Sequence, residues 1–346
     1  MKCSSRLLAV ASLLLAALIS ISCGGGGGGA DSAPSPDWSN QLEAENGAPA
    51  ASGNAAADGF AWINFRRSAA GLAPLAFSSE IAKAAQNHSD YQRLNGPFSD
   101  SSSSSTPITH SETSGAAGFT GVDACPDRIT AAGFSLGDQY ACGEVISALG
   151  DSSGFAAAEE LIAAIYHRFL IFQPSFREAG AGSALSYDGR YTIFTQNFAV
   201  RGSFTGLGNE GVVNYPFHSQ KLVPTSFAHH TERPDPLPVA SYPQYAGKKV
   251  GYPISVHADL DQRIDVESFT IRKQGDGAAL SGRVLSGATD ANTQYFSAAV
   301  VPFLELKPNS TYEVQFAGTV CSKDLQTHAC AAARIPLSRN WSFTTR

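Results

Sequence analysis

The sequence predicts an α+β domain followed by an all-β domain. Three observations carry this. Apolar residues recur at helical 3–4 spacing between residues 58 and 168. Beyond residue 245 the apolar period falls to two. Gly 33 and Pro 18, with a single Met, favour loops and strands over a helical bundle. A length of 346 residues corresponds to about two domains at ~150 residues each. Apolar residues at 43% supply cores, and charged residues at 16% are too few for a disordered chain or a coiled coil. Lys+Arg 24 against Asp+Glu 30 gives a net charge of −6, so the basic footprint of a nucleic-acid binder is missing and no nucleic-acid partner is expected.

Lys2 and Arg6 precede a nearly unbroken apolar run, Leu7 to Ile21. At about 15 residues it is short of the ~20 that span a bilayer. It fits the apolar region of a secretory signal, so residues 1–22 are assigned to a signal peptide. Ser20-Ile21-Ser22-Cys23 then resembles the lipobox of bacterial lipoproteins, although Ser20 stands where Leu is usual. The resemblance implies cleavage before Cys23 and acylation of it, with the lipid bilayer as partner. Gly24, not Asp, follows the cysteine; by similarity to Gram-negative lipoproteins this implies the outer membrane. Residues 23–53 are rich in Gly, Ala, Ser and Pro and show no period. A flexible tether of that length spans roughly 30 Å.

Four cysteines remain once Cys3 and Cys23 are set aside: Cys125, Cys142, Cys321 and Cys330. An exported chain can oxidise them. Three pairings are open; the local one, Cys125 with Cys142 and Cys321 with Cys330, keeps each pair within one domain. No CxxC spacing supports a four-cysteine zinc site.

In the first domain, residues 54–200, Asp58 to Ala70 reads as a helix with Phe60, Trp62 and Ile63 inward, closed by Gly71-Leu72 and stopped by Pro74. Ser79 opens a second helix with the stripe Ile81, Ala84, Ala85, His88 and Tyr91, ending at Gly96-Pro97. Ser99 to Thr106 reads as a mobile loop. Pro126 starts a short helix that closes at Gly133. Ala156 to Arg168 reads as a fourth helix, with Asp151, Ser152 and Ser153 as cap candidates. Ala179–Ser186 and Arg190–Val200 are strands joined at Asp188-Gly189, a hairpin signal.

Several segments, in order, resemble the bacterial form of the CAP (SCP/PR-1-like) superfamily. They are Ile63-Asn64-Phe65-Arg66-Arg67, Gly71-Leu72-Ala73-Pro74-Leu75, Ala84 to Ser89, His110-Ser111, Arg128 with Ala132-Gly133-Phe134, Gly143-Glu144, Tyr166-His167-Arg168 and Gly180-Ala181-Gly182. The resemblance implies an α-β-α sandwich with a cleft lined by two histidines and one or two acids. By position, His110 and His167 match the histidines and Glu144 the glutamate of a Gly-Glu-Asn motif; Val145 replaces its Asn. The fourth member falls to Glu159 or Glu160. Glu160 lies two helical turns before His167, so the two share a face if the helix is continuous.

Two imidazoles and a carboxylate can form an open site for Zn²⁺ or another divalent ion, with Glu144 as candidate base. The alternative is a set of hydrogen-bonded groups fixing a loop. His88, inside a helix stripe, reads as a satisfied core histidine, and Arg128 as the partner of a carboxylate. A Cys125–Cys142 bridge would pin the segment that carries Glu144.

Three motifs are rejected on context. Gly133-Phe134-Ser135-Leu136-Gly137 lacks the strand–turn–helix of a nucleophile elbow. Gly206 to Gly211 matches G-x-G-x-x-G but no helix follows. His229-His230 with Glu232 sit in a Pro-rich connector, residues 201–244, that is not expected to preorganise ligands.

In residues 245–346, Tyr312, Val314 and Phe316 alternate with polar neighbours; Ile264–Ile271, Tyr295–Val301 and Trp341–Phe343 also read as strands. Leu306 to Tyr312 and the terminal Trp341-Ser342-Phe343-Thr344-Thr345 resemble the bacterial Ig-like domain, which implies a β-sandwich. The expectation for the whole is a monomeric, exported, non-catalytic module that binds a small hydrophobic or envelope ligand. The alternatives are a metal-assisted hydrolase and a structural adhesion protein.

Overall fold

The computed structural model describes residues 45–96, 108–208 and 211–346. The signal peptide, Cys23, most of the tether and the Ser99–Thr106 loop lie outside the described residues.

Helix α1 spans Ala55–Ala69. It starts three residues before the expected Asp58, because Asn54 caps it by accepting from the Ala57 N–H. Asp58 instead holds the chain ahead of the helix, accepting from Ser52 N and Gly53 N. At the other end Gly71 adopts φ +89, and the Leu72 N–H bonds back to Arg67 O, the closing pattern its Gly-Leu pair predicts. Strand β1 is Ala76–Phe77, and helix α2 is Ser79–Asn95 with Ser78 as cap. Every residue of the expected α2 stripe, Ile81, Ala84, Ala85, His88 and Tyr91, is buried. Helix α3, Cys125–Ala131, carries Pro126 in its first turn.

Strand β2, Tyr140–Leu149, has no counterpart in the sequence-based expectation. It is buried along most of its length on both faces, so it shows no period-two alternation. The expected helix 156–168 is two helices: α4, Gly154–Ala163, and α5, Ile165–Ile171. Ala164 between them is extended, at φ −70 and ψ 117. Strands β3, Glu178–Leu185, and β4, Thr192–Arg201, close the region as expected, with Gly189 at φ +69 in the turn.

These strands form one sheet in the order β1-β3-β4-β2, parallel only between β1 and β3. Alternation along β4 sorts its faces. Phe194, Phe198 and Val200 pack with Trp62 and Ile63 of α1, Phe155 of α4 and Phe169 of α5. Ala199 faces Ile81 of α2 and Ile129 of α3. The result is helices on both faces of the sheet. Gly180 and Gly182 explain how close α2 comes. A Cβ at Gly180 would lie 2.1 Å from Ala82 N, and one at Gly182 2.2 Å from Gln86 N, so only glycine admits the helix backbone there.

The rest of the chain is mostly β. Strands β5 (Val213–Tyr215), β8 (Ile254–His257), β10 (Gly282–Ser286) and β11 (Ser297–Pro302) form an antiparallel sheet in the order β10-β11-β8-β5. Strands β9 (Gln262–Lys273), β12 (Thr311–Ser322) and β13 (Ile335–Thr344) form a second, ordered β13-β12-β9. The pair β6 (Ser226–Phe227) and β7 (Val250–Gly251) lies apart. In β12 Tyr312, Val314, Phe316 and Val320 point inward, as their spacing predicts. Both disulfides take the local pairing, Cys125–Cys142 and Cys321–Cys330.

The two halves share one hydrophobic core. Phe172, just after α5, packs on Tyr215 with ring centroids 4.4 Å apart, and Phe169 meets His257 at 5.8 Å. The Gly206-Leu207-Gly208 turn belongs to the same junction. Its Leu207 and Gly208 N–H groups donate to the buried carboxylate of Asp259.

Candidate functional site

Strand β2 places Glu144 directly opposite Asn197 of β4, on the sheet face covered by α2 and α3. The neighbouring Val145 therefore points to the opposite face, where it is fully buried in the core. His110 comes from the segment between α2 and α3, and its Nδ1 lies 2.9 Å from Glu144 Oε1. Arg128 of α3 donates from Nη2 to Glu144 Oε2 at 2.6 Å and from Nη1 to the His110 carbonyl at 2.9 Å. One guanidinium thus fixes both the carboxylate and the backbone of its imidazole partner. The Cys125–Cys142 bridge ties the start of α3 to β2, two residues before Glu144.

A second layer supports this pair. His88 of α2 is fully buried, with Nδ1 2.8 Å from Glu112 Oε1 and Nε2 3.0 Å from Thr109 O. Its Nε2 is also 3.7 Å from Glu144 Oε1. Glu112 Oε2 accepts from Thr120 N and Oγ1. His88 is therefore the satisfied core histidine that its helix position predicts, and in addition it flanks Glu144. Glu112 is buried yet was not singled out in the sequence; its partner His88 lies 24 residues away.

His167 is fully buried at the start of α5. Its Nδ1 lies 3.2 Å from Glu232 Oε1. Glu232 also accepts from the N–H groups of Ile165 (2.9 Å), Tyr166 (2.6 Å) and His167 (3.3 Å). The first-turn N–H groups of a helix have no intrahelical partner, and here a carboxylate satisfies three of them. The Pro-rich connector, not expected to preorganise ligands, thus holds a buried Glu232 and a buried His229 in fixed contacts. His229 Nδ1 lies 2.7 Å from Asp235 Oδ1 and its Nε2 3.0 Å from Tyr245 O.

The two acids of α4 separate. Glu159 turns into the core, where Trp62 Nε1 donates to Oε1 at 2.8 Å and Arg66 Nε pairs with the same oxygen. Glu160 is exposed. Continuous-helix reasoning does not relate it to His167, because the extended Ala164 interrupts the helix between them. The two are nonetheless electrostatically coupled.

Burial would push the Glu144 carboxyl up, but the Arg128 guanidinium, His88 and His110 outweigh it and hold the group well below the usual carboxylate range. Burial lowers the pKa of His110; its hydrogen bond to Glu144 opposes this, while His167 and His88 add to the depression. The structure thus joins His110 to Glu144 directly and His167 to Glu232.

Each of the two imidazoles offers Nδ1 to a carboxylate, Glu144 or Glu232, the arrangement that orients metal-ligating histidines. Nε2 of His110 is buried and meets no hydrogen-bond partner among the described residues. Among the described residues no group of three or more His, Cys, Asp or Glu side chains is placed to hold a metal ion. No helix of the described residues is long and apolar enough to cross a membrane.

Residues 60–198 match the model of the CAP, cysteine-rich secretory protein, family. The chain is also similar to a solved extracellular protein containing a SCP domain from Bacillus anthracis str. Ames. That similarity is 25% identity over 43% of this chain, with a TM-score of 0.32. It spans 40% of that chain, well under its full length. No curated protein matches the sequence.

Proposed function

Taking as premise that this chain carries a CAP domain over residues 60–198, we propose that it is an exported, non-catalytic binding module of the bacterial envelope. Its ligand is a small hydrophobic or envelope molecule held at the His110–Glu144–His167 cluster. Acylated Cys23 tethers it to the outer membrane. The observation that carries the binding role is the engagement of Glu144. Both its oxygens are bonded, to Arg128 and to His110, and its pKa is far below neutral. Such a carboxylate is a poor proton acceptor at neutral pH. It positions His110 and does not activate water. Among the described residues no nucleophile–base pair stands beside it to supply covalent chemistry. The test is calorimetric titration of the full mature chain with phospholipid vesicles and with peptidoglycan fragments. Saturable binding without turnover, weakened at least tenfold in His110→Ala, supports the proposal. No heat with either probe overturns it.

The second reading is a metal-assisted hydrolase, and the paired Nδ1–carboxylate contacts favour it. His110 and His167 would hold a divalent ion, which lowers the pKa of bound water. Glu160, the exposed acid of α4, is the candidate for proton transfer in this reading, since Glu144 is engaged at both oxygens. This reading requires Zn²⁺-dependent hydrolysis that is lost in both His110→Ala and Glu160→Gln.

A further inference from the structure

We propose that Glu232 is the positioning residue of His167, so that a segment beyond the CAP-matched residues builds one half of the site. The inference rests on the His110–His167 cluster as the site proposed above. Glu232 is almost fully buried, and it reaches α5 from a point 65 residues later in sequence. Its Oε2 accepts from Ile165 N, and its Oε1 from Tyr166 N and His167 N, with His167 Nδ1 on the same oxygen. Those contacts exist only because Ala164 is extended and α5 starts afresh at Ile165.

A carboxylate that receives the α5 backbone and the imidazole together fixes where the ring sits and which nitrogen carries its proton. With the proton on Nδ1 and donated to Glu232, Nε2 is the deprotonated nitrogen of the His167 ring. His110 is set the same way by Glu144. The cluster is therefore two imidazole–carboxylate units, one built within the matched domain and one completed from outside it.

The carrier of Glu232 is itself held on both sides. Asp235 receives Leu237 N and faces His229, while His229 also reaches Tyr245 O. From α5, Tyr166 donates its hydroxyl to Asp290 Oδ2 at 3.0 Å, and Arg168 donates to Pro253 O. The ring orientation of His167 thus depends on the docking of the β-rich half.

The experiment is long-range ¹⁵N–¹H correlation NMR of the histidine side chains in the full mature chain above neutral pH. The comparison is wild type, Glu232→Ala and Glu232→Gln. In wild type His167 is expected as the Nδ1–H tautomer. Glu232→Ala, which removes the acceptor, shifts it to the Nε2–H form that free imidazole prefers. Glu232→Gln, which keeps an oxygen acceptor, restores Nδ1–H. His110 is unchanged in all three. A purely structural cap would leave the tautomer of a folded variant untouched. An Nε2–H His167 in wild type overturns the proposal, as does a folded Glu232→Ala that keeps Nδ1–H. If Glu232→Ala does not fold, Glu232→Gln decides: an upfield shift of the His167 Nδ1 proton, as the neutral amide is the weaker acceptor, supports the proposal, and an unchanged proton overturns it. Where wild type binds Zn²⁺, Glu232→Ala is expected to lower that affinity about 10- to 100-fold. A wild type that binds no Zn²⁺ ends the hydrolase reading and leaves the tautomer result to judge Glu232.

Discussion

Arg128 Nη2 donates to Glu144 Oε2 at 2.6 Å with both side chains almost wholly buried. A buried ion pair of this kind is costly to break, because removal of one partner leaves the other charge uncompensated. Arg128→Met therefore strands the Glu144 carboxylate, which keeps only His110 and the more distant His88. The expected loss is about 3–5 kcal/mol in chemical unfolding at neutral pH. The double variant Arg128→Met/Glu144→Leu should recover much of it. Equal instability in the single and double variants would count against a stranded charge.

The same contacts set the acid response. Glu144 titrates well below its unfolded value, so the unfolded chain binds its proton first as pH falls. Its contribution to stability is complete above about pH 4.3, the ordinary glutamate value, and is lost progressively below it. His110 is also depressed, because burial disfavours its charged form. Its contribution is complete above about pH 6.5 and starts to fall as the medium acidifies past that point. Both slopes have the same sign. Urea midpoints should decline first in mildly acidic buffer and again below about pH 4.3. The second decline should flatten in Glu144→Gln.

Gly182 and Gly189 separate two reasons for a glycine. A Cβ at Gly182 collides with the α2 backbone at 2.2 Å, whereas one at Gly189 meets nothing within 4 Å but sits at φ +69. Gly182→Ala must push α2 off the sheet and should cost about 1–3 kcal/mol or more, as overpacked cores do. Gly189→Ala pays only for its backbone conformation, about 1 kcal/mol. Thermal melts of the two variants give the ranking directly, and a reversed order would contradict the close approach of α2.

What could be read in the sequence follows the range of the forces involved. The α2 stripe, the Gly71-Leu72 and Gly133 stops and the Asp188-Gly189 turn are local, and each was legible. The β12 alternation was legible because one face meets the core and the other meets solvent. Strand β2 escaped because both of its faces are covered. The break at Ala164 escaped because Ala and Ile carry no stop signal; the cause is Glu232, far along the chain. His110, Glu144 and His167 were found through family resemblance, which supplies positions but not partners. Glu112 and Glu232 hold two histidines in place, yet neither lies in a helix or a strand; Glu112 belongs to no motif, and Glu232 is set aside with His229-His230 because of the prolines around it. Prolines around Glu232 read as an open connector, while His229, Asp235 and Tyr245 in fact order it.

The glycine-rich turn at 206–208 shows how an anion-binding sequence can be satisfied from within. Its N–H groups at Leu207 and Gly208 point at a carboxylate, Asp259, in place of a phosphate. A side chain at Gly206 would meet Pro174 O at 2.4 Å and Asp259 Oδ1 at 2.6 Å, so glycine is required for the approach. The turn follows β4 and Asp259 follows β8, which makes this contact a polar bolt between the two halves. Burial raises the Asp259 pKa, and the N–H groups of Gly206, Gly208 and Leu207 oppose that rise. Asp259→Ala leaves the half-buried Leu207 and Gly208 N–H groups without their acceptor, at a cost below the roughly 1–3 kcal/mol of a fully buried unsatisfied group because water can reach them. Hydrogen exchange should localise the damage, with protection lost first at Leu207 and Gly208 and then along β8. Uniform loss across the molecule would instead mean that the halves unfold as one cooperative unit and that the bolt has no separate local role.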